Sequence, residues 1–372
     1  MHIALFNPGW SSMGGGEKYL LSIADVLAST GRHRVQLFGD RPGPTLDQCR
    51  AYFNLTLPDV ELLQCPPSAV RRLIGQAGLA VIESNFRSYG LPAPRTAYIL
   101  QVPYGPITPL SIAAEAVSGS VKAALKNLLR TRLYNSARRS FLALANSSFS
   151  AAALRKHHRI DARVLYPPID SFEPAAMKRP VILSVGRFFR GMYNDKRYDV
   201  LLVAFRRLRK ELPAQSPWEY HIAGSCGNDP GARLWLNSLR REAEDLPVHF
   251  HPDASYAELS SLYAEASIFW HAAGFGVDED LHPERTEHFG MSTAESMGAG
   301  CIPVVAARGG QKEIVSHGES GYLWNTVDEL VSLTLSLCTS TSNLKGMATA
   351  ARERSTAFSR ERFAERCLAL FE

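Results

Sequence analysis

Glu287 and Glu295 stand eight positions apart in E-H-F-G-M-S-T-A-E, on either side of a segment that turns helical. Ser292 and Thr293 fall in the first turn of a short helix beginning near Met291, where unpaired backbone N–H groups and the helix dipole favour an anion. Glu287 lies just outside that helix and Glu295 within it, so two carboxylates flank an anion site. Such a pair suits a phosphate carried between two polyhydroxylated groups, as in a nucleotide sugar; a surface helix with two solvated glutamates has the same spacing. A second set follows the apolar run Val181–Val185: Gly186-Arg187 at its carboxyl end, then Lys196 and Arg197 ahead of the next helix. An arginine and a lysine around one strand-to-helix loop are placed to bind two phosphates, although a solvated basic loop would look alike. A third is the glycine loop Gly14-Gly15-Gly16-Glu17, where backbone can approach a ligand closely or simply turn tightly. It lacks the spacing of a dinucleotide fingerprint or a phosphate loop. The six cysteines are scattered with no C-x-x-C pair, so a zinc site is not expected.

The elements that must carry these residues alternate. Residues 2–7 read as a strand, Lys18–Ala28 as a helix with Leu20, Leu21, Ala24 and Leu27 on one face, and Val35–Phe38 as the next strand. Leu79–Glu83, Thr96–Gln101 and Leu142–Ala145 continue the series. The loop Gln101-Val102-Pro103-Tyr104 follows the second of them, and N-S-S-F-S after the third offers a helix cap. A further strand, Val164–Asp170, runs through Pro167-Pro168 into Ser171–Pro180, a proline-rich break that places a domain boundary at 172/173. The second series is Val181–Val185, a helix over Val200–Leu212, Tyr220–Ala223, Val248–Phe250, Ile268–His271 and Ile302–Val305. Two doubly wound α/β units follow, 1–172 and 173–354, with ligands expected at the carboxyl ends of the strands and a cleft between the units. Ser355–Glu372 reads as one amphipathic helix carrying Phe363, Cys367, Leu368 and Phe371. His271, ending a strand, reads as a structural histidine.

Composition narrows the classes. The chain has 372 residues, 45% hydrophobic and 21% charged, with a net charge of +5. No apolar run approaches the ~20 residues that span a bilayer, and M-H-I-A-L-F reads as a first strand rather than a signal sequence, so a cytoplasmic protein is expected. The charge is uneven: residues 1–170 hold 19 Lys+Arg against 10 Asp+Glu (+9), and the remainder 22 against 26 (−4). Part of the excess is Lys122, Lys126, Arg130, Arg132, Arg138 and Arg139, interleaved with Val121, Leu125, Leu128, Leu129, Leu133 and Phe141. Such a helix over 121–141 either lies at the inner face of an anionic membrane or packs on its own domain with a solvated basic face. No aromatic interleaving or binding motif accompanies the charge, so nucleic acid is not expected.

Taken in order, G-G-G-E-K, N-S-S-F-S with Y-P-P-I-D, S-V-G-R…K-R, E-H-F-G-M-S-T-A-E and G-G-Q-K-E-I-V…G-E-S-G-Y-L-W resemble the retaining GT-B glycosyltransferases of family 4 along nearly the whole chain. The E-H-F-G and G-G-G-E pieces look most like the branch of GDP-mannose-dependent mannosyltransferases. The resemblance implies two Rossmann-like domains, an amino-terminal acceptor domain and a carboxyl-terminal nucleotide-sugar domain, with the last helix crossing back and the domains closing over the donor. It implies a hexosyl unit moved with retention from a nucleotide diphosphate sugar to a hydroxyl of a glycan, glycolipid, polysaccharide precursor or natural product, with no metal and no cofactor. Gly186, Arg187 and Lys196 then match the donor diphosphate site. Glu287 matches the acid on the transferred sugar, near the backbone of Phe289, Gly290, Met291 and Ser292, and Glu295 the acid on the ribose. Gly14, Gly15 and Gly16 match the acceptor-side phosphate loop, joined by Gln101 and Tyr104. Gln101 stands where many members carry a histidine, and Gly274–Thr286 is a longer approach to Glu287 rich in Asp278, Glu279, Asp280, His282, Glu284 and Arg285. A GT-B epimerase or phosphorylase, or an inactive sugar-nucleotide-binding scaffold, shares these motifs.

Overall fold

The computed structural model describes residues 1–8, 13–85, 87–117, 120–191, 194–227, 229–339 and 341–372, without the side chains at 139, 140 and 341–343. The expectation for Arg139 therefore lies outside the described side chains. Two compact units emerge: Met1–Pro168 together with Glu361–Glu372, and Ile169–Arg360. The boundary falls just ahead of the 172/173 position read from the proline-rich break, and the segment that returns to the first unit starts at Glu361 rather than 355.

In the first unit the strands β1 (His2–Asn7), β2 (Arg34–Gly39), β3 (Glu61–Gln64), β4 (Leu79–Glu83), β5 (Arg95–Ile99), β6 (Leu142–Ala145) and β7 (Arg163–Val164) form one parallel sheet in the order β3-β2-β1-β4-β5-β6-β7. Its central strands are buried almost along their whole length because both faces are covered. Along β1, Ile3 and Leu5 enter one cluster with Leu20, Leu21, Ala24 and Leu27 of the helix Gly15–Ser29. Ala4 and Phe6 point the other way, into a cluster with Tyr98, Leu133 and Tyr134. The chain's last helix, Arg360–Phe371, adds Phe363, Cys367 and Phe371 to the first cluster, and the Phe363 ring lies 6.0 Å from that of Tyr19. The single helix expected over 355–372 is instead a turn of 3₁₀ helix at Thr356–Phe358 and a separate α-helix. Ser359 between them is extended (φ −62°, ψ 162°), a residue type and backbone suited to starting a helix.

In the second unit β8 (Arg179–Val185), β9 (Glu219–Gly224), β10 (Val248–Pro252), β11 (Ala266–His271), β12 (Ile302–Ala306) and β13 (Tyr322–Trp324) form a parallel sheet in the order β10-β9-β8-β11-β12-β13. Ile182, Tyr220, Ile222, Ile268, Trp270, Ile302, Val304 and Trp324 share one core with Leu201, Phe205 and Leu208 of the helix Tyr198–Glu211. Strand order reverses between β1 and β4 in one sheet and between β8 and β11 in the other. Doubly wound sheets bind ligands outside the carboxyl ends of the strands at such a reversal.

The basic helix spans Val121–Ser140, but its charges are not one solvated face. Arg130 is buried, donating from Nε to Asn85 O at 2.9 Å, and Arg138 Nε donates to His158 O at 2.6 Å. Val121, Leu125 and Leu128 are instead exposed, together with Leu110 and Val117 of the helix Pro109–Val117.

Candidate functional site

The carboxyl ends of β8 and β11 bring Lys196, Glu287 and His271 together. Lys196 leaves the β8 loop just before the helix Tyr198–Glu211, and its stem lies across the backbone at Gly186. A Cβ added there would sit 2.8 Å from Lys196 Cε and 2.9 Å from Cγ, so no side chain fits that position without moving the lysine. Gly186 itself is fixed by its N–H to Ala223 O (2.9 Å) and by the Tyr198 hydroxyl donating to its carbonyl (2.7 Å). Lys196 Nζ reaches Glu287 Oε2 at 2.5 Å, with the two side chains only 12% and 11% exposed. His271 Nε2 is 3.0 Å from the same carboxylate oxygen.

Burial alone would raise the Glu287 carboxyl, but Lys196 and then His271 outweigh it and hold it well below the usual carboxylate range. His271 moves down from the ordinary imidazole value, because burial and then Lys196 disfavour its charged form more than Glu287 favours it. A neutral His271 has one ring N–H to place. Ala273 N–H lies 3.4 Å from Nδ1 and can only donate; Lys196 Nζ also stands 3.4 Å from Nε2, but the Glu287 oxygen is nearer, at 3.0 Å, and takes the Nε2–H, which leaves Nδ1 as the acceptor. Gln311 must then turn its Nε2 to the same Nδ1, at 3.2 Å. The outcome is an ionised, acceptor-only carboxylate held between a cation and a neutral N–H donor.

The helix Met291–Gly298 starts beside this group with Gly290 as its cap. Glu295 is buried within it, its Oε2 3.3 Å from the Tyr263 hydroxyl, while Phe289 is buried edge-on to Phe358 at 5.1 Å. Met291 and Ser292 are half-buried at the helix start. The Gly309–Gly310 turn backs the segment, with Gly310 N–H donating to Glu287 O at 2.8 Å. In the long approach Gly274–Thr286, Asp278, Asp280, His282 and Arg285 face solvent, and Glu279 ties the loop to the Gly309 turn. Glu279 accepts from Gly309 N–H at 2.8 Å and pairs with Lys312, and Asp278 accepts from the N–H groups of Asp280 and Leu281. Arg187 stands apart: it is exposed, its guanidinium 5.1 Å from the Phe189 ring, and no hydrogen bond or ion pair among the described residues joins it to Lys196 or Glu287. Arg197 serves the local backbone through Asp199 and Phe275 O.

In the first unit, Gly14 caps the helix Gly15–Ser29, with its N–H on Glu17 Oε2 at 3.2 Å. A Cβ on Gly16 would meet Glu83 Oε1 at 2.7 Å and Gln101 Oε1 at 3.4 Å, so the loop, Glu83 and Gln101 form one group at the β1/β4 reversal. Asn7 Nδ2 donates to Glu83 Oε2 at 3.0 Å. Burial, then the nearby Glu17 charge, push the Glu83 carboxyl up to about 8. Gln101 Nε2 is buried without a partner among the described residues. The contacts of Tyr104 run elsewhere: its ring lies 3.3 Å from the Arg130 guanidinium and its carbonyl meets His158 Nε2 at 2.8 Å. Sequence reasoning missed Glu83 and treated His271 as structural. The available signal was position, since each is the last residue of a strand flanking a reversal.

The sequence model of the family described as "Glycosyl transferases group 1" matches residues 168–354, half of the chain, and spans every residue of the second-unit group. The chain belongs to the group 1 glycosyltransferases. Among curated relatives, the "GDP-Man:Man(3)GlcNAc(2)-PP-Dol alpha-1,2-mannosyltransferase" of Dictyostelium discoideum is 25% identical over 249 residues, covering 62% of this chain and 46% of its own length. The protein of the same name in Yarrowia lipolytica is 30% identical over 187 residues, covering 45% of this chain and 27% of its own. The chain thus spans less than half the length of these two relatives. Among solved structures, HepE of Anabaena in complex with UDP and glucose superposes with a TM-score of 0.73 at 17% identity, over 100% of this chain and 99% of that one. The fold of this group 1 member is therefore GT-B, two parallel-sheet Rossmann-like domains with helices packed around them. Among the described residues, no helix is long and apolar enough to cross a membrane.

Proposed function

We propose that the protein transfers a hexosyl unit, mannose from GDP-mannose in the first instance, to a hydroxyl acceptor with retention at the anomeric carbon. The observation that carries this reading is the ionised Glu287 held between Lys196 and His271 at the β8/β11 reversal. A buried carboxylate that only accepts hydrogen bonds binds sugar hydroxyls, while Lys196 beside it and Arg187 on the same loop offer charge to a diphosphate. Charge on the phosphate grows as the C1–O bond breaks, and preformed cations stabilise that state most. The acceptor hydroxyl bonds to C1 on the face the phosphate leaves, and its proton passes to a donor phosphate oxygen. Glu287 forms no covalent bond. In this reading Glu295 holds the ribose, and Gly14–Gly16 with Gln101 and Glu83 receive the acceptor in the first unit. No metal is assigned a step.

The names of the relatives favour GDP-mannose as donor and a lipid-linked mannose oligosaccharide as acceptor. The exposed Leu110, Val117, Val121, Leu125 and Leu128, with Lys122 and Lys126 beside them, suit peripheral contact with an anionic lipid surface from which such an acceptor is drawn. Melting curves against a panel of nucleotide sugars test the donor, since a ligand that binds only the folded chain raises Tm. GDP-mannose should raise it most, and Arg187→Ala should lose most of that rise. A panel without any response to guanosine nucleotides would overturn the donor assignment.

A further inference from the structure

On the β9/β10 edge of the second-unit sheet, three histidines and a glutamate share one face. Glu219 and His221 are two apart on β9, and His249 and His251 two apart on β10, with His249 directly opposite His221 in the register. Glu219 Oε2 lies 3.3 Å from His221 Nε2 and 3.9 Å from His249 Nε2. One ligand atom from each of these three residues falls within 4.8 Å of the others. Three ligands held roughly 2.0–2.2 Å from a tetrahedral ion stand roughly 3.3–3.6 Å apart, so Glu219 and His221 already fit and His249 closes in to complete the geometry.

The hydrogen-bond chain through this cluster is one cation short. Glu219 faces His221 Nε2, His221 Nδ1 faces His251 Nε2 at 3.1 Å, and His251 Nδ1 faces Glu258 Oε1 at 2.9 Å. Each contact needs a positive centre or hydrogen between two acceptors, and two neutral imidazoles supply one hydrogen each. Three contacts share two hydrogens. If Glu258 orients His251 and His251 orients His221, both Nδ1–H groups are committed and His221 Nε2 turns a lone pair toward the Glu219 carboxylate. The deficit then falls where His249 also converges. Arg179 reaches the same Glu219 oxygen at 3.5 Å, but it holds Glu265 more closely, at 2.8 Å, and cannot enter between the two ring nitrogens.

We propose that Glu219, His221 and His249 form a binding site for a divalent transition ion of the zinc type, with His251 and Glu258 as the outer hydrogen-bonded pair that orients His221. With three protein ligands, the fourth position is open to water. The sheet edge separates this site from the Lys196–Glu287 group, because β9 and β10 lie on the far side of β8 from β11. The ion stiffens the edge strands and takes no part in sugar transfer.

Calorimetric titration of the chelator-treated, tag-free chain with Zn²⁺ tests this. One ion should bind per chain. His249→Ala and Glu219→Gln should each weaken binding at least tenfold, and His251→Ala, which removes only the orienting pair, by about 10–100-fold. Co²⁺ in place of Zn²⁺ should show the visible bands of tetrahedral coordination in the parent protein and lose them in His249→Ala. The metal-free variants should melt within a few degrees of the parent, since His249 is exposed. No stoichiometric binding, or binding unchanged in both His249→Ala and Glu219→Gln, would overturn the proposal; the chain deficit would then be met by a protonated imidazole.

Discussion

Glu83 and Glu287 show how one side-chain type acquires opposite properties from its surroundings. Glu287 is buried beside a lysine and a histidine N–H, and stays ionised. Glu83 is buried with an asparagine and another acid for company, and its carboxyl rises to about 8. The direction of the Glu83 shift fixes a stability effect. Between the ordinary glutamate value of 4.5 and about 8, the folded chain keeps a proton that the unfolded chain has lost. Stability contributed by this residue is therefore full below the lower value and falls as pH rises through the window, by about 1.4 kcal/mol per pH unit. Glu83→Gln removes that slope. In urea unfolding at pH 5 and pH 8, the variant should gain on the parent at pH 8 relative to pH 5; equal differences at both would mean that Glu83 titrates normally.

At the level of elements, the strand–loop–helix from β8 through Tyr198–Glu211 sets Lys196 against Glu287. Gly186 is an ordinary letter in S-V-G-R, and its importance is steric: the Lys196 stem occupies the volume of a side chain there. Gly186→Ala should displace Lys196 from Glu287 and weaken nucleotide-sugar binding at least tenfold in calorimetry, with far-UV circular dichroism unchanged. Parent-like affinity would show that Lys196 tolerates another path. Much of this level was legible beforehand. The alternation of apolar runs places eleven of the thirteen strands among the described residues, because buried parallel strands are continuous and apolar. β3 escaped because Glu61–Gln64 is a largely exposed edge with polar ends, and β13 because three residues carry no periodicity. The Lys196–Glu287 contact was not legible as a contact. Its members lie 91 residues apart and meet only because β8 and β11 are neighbours at the reversal. His271 was discounted for the same reason, since a histidine ending one strand gains a partner only when the adjacent loop is placed.

For the whole molecule, the uneven charge recovers a meaning once burial is known. The +9 of residues 1–170 includes Arg130 and Arg138, which hold backbone carbonyls. Of the two readings of the basic helix, only the one that packs it on its own domain expected charges alone to face water; Val121, Leu125 and Leu128 are exposed. An apolar stripe with lysines beside it predicts sedimentation with anionic vesicles at low salt that weakens as salt rises. Leu125→Gln combined with Leu128→Gln should reduce it, and no sedimentation at low salt would remove the membrane reading.

In the proposed reaction everything turns on Glu287 acting on the transferred sugar. The direct measurement is transfer from GDP-mannose to a synthetic mannose-terminated chitobiose-core glycan, followed by GDP release and by NMR of the new linkage. The parent protein should form an α-linked mannoside, and Glu287→Gln should lose at least a hundredfold in kcat/KM while melting within a few degrees of the parent. Turnover in Glu287→Gln close to that of the parent, or a β-linked product, would contradict the account.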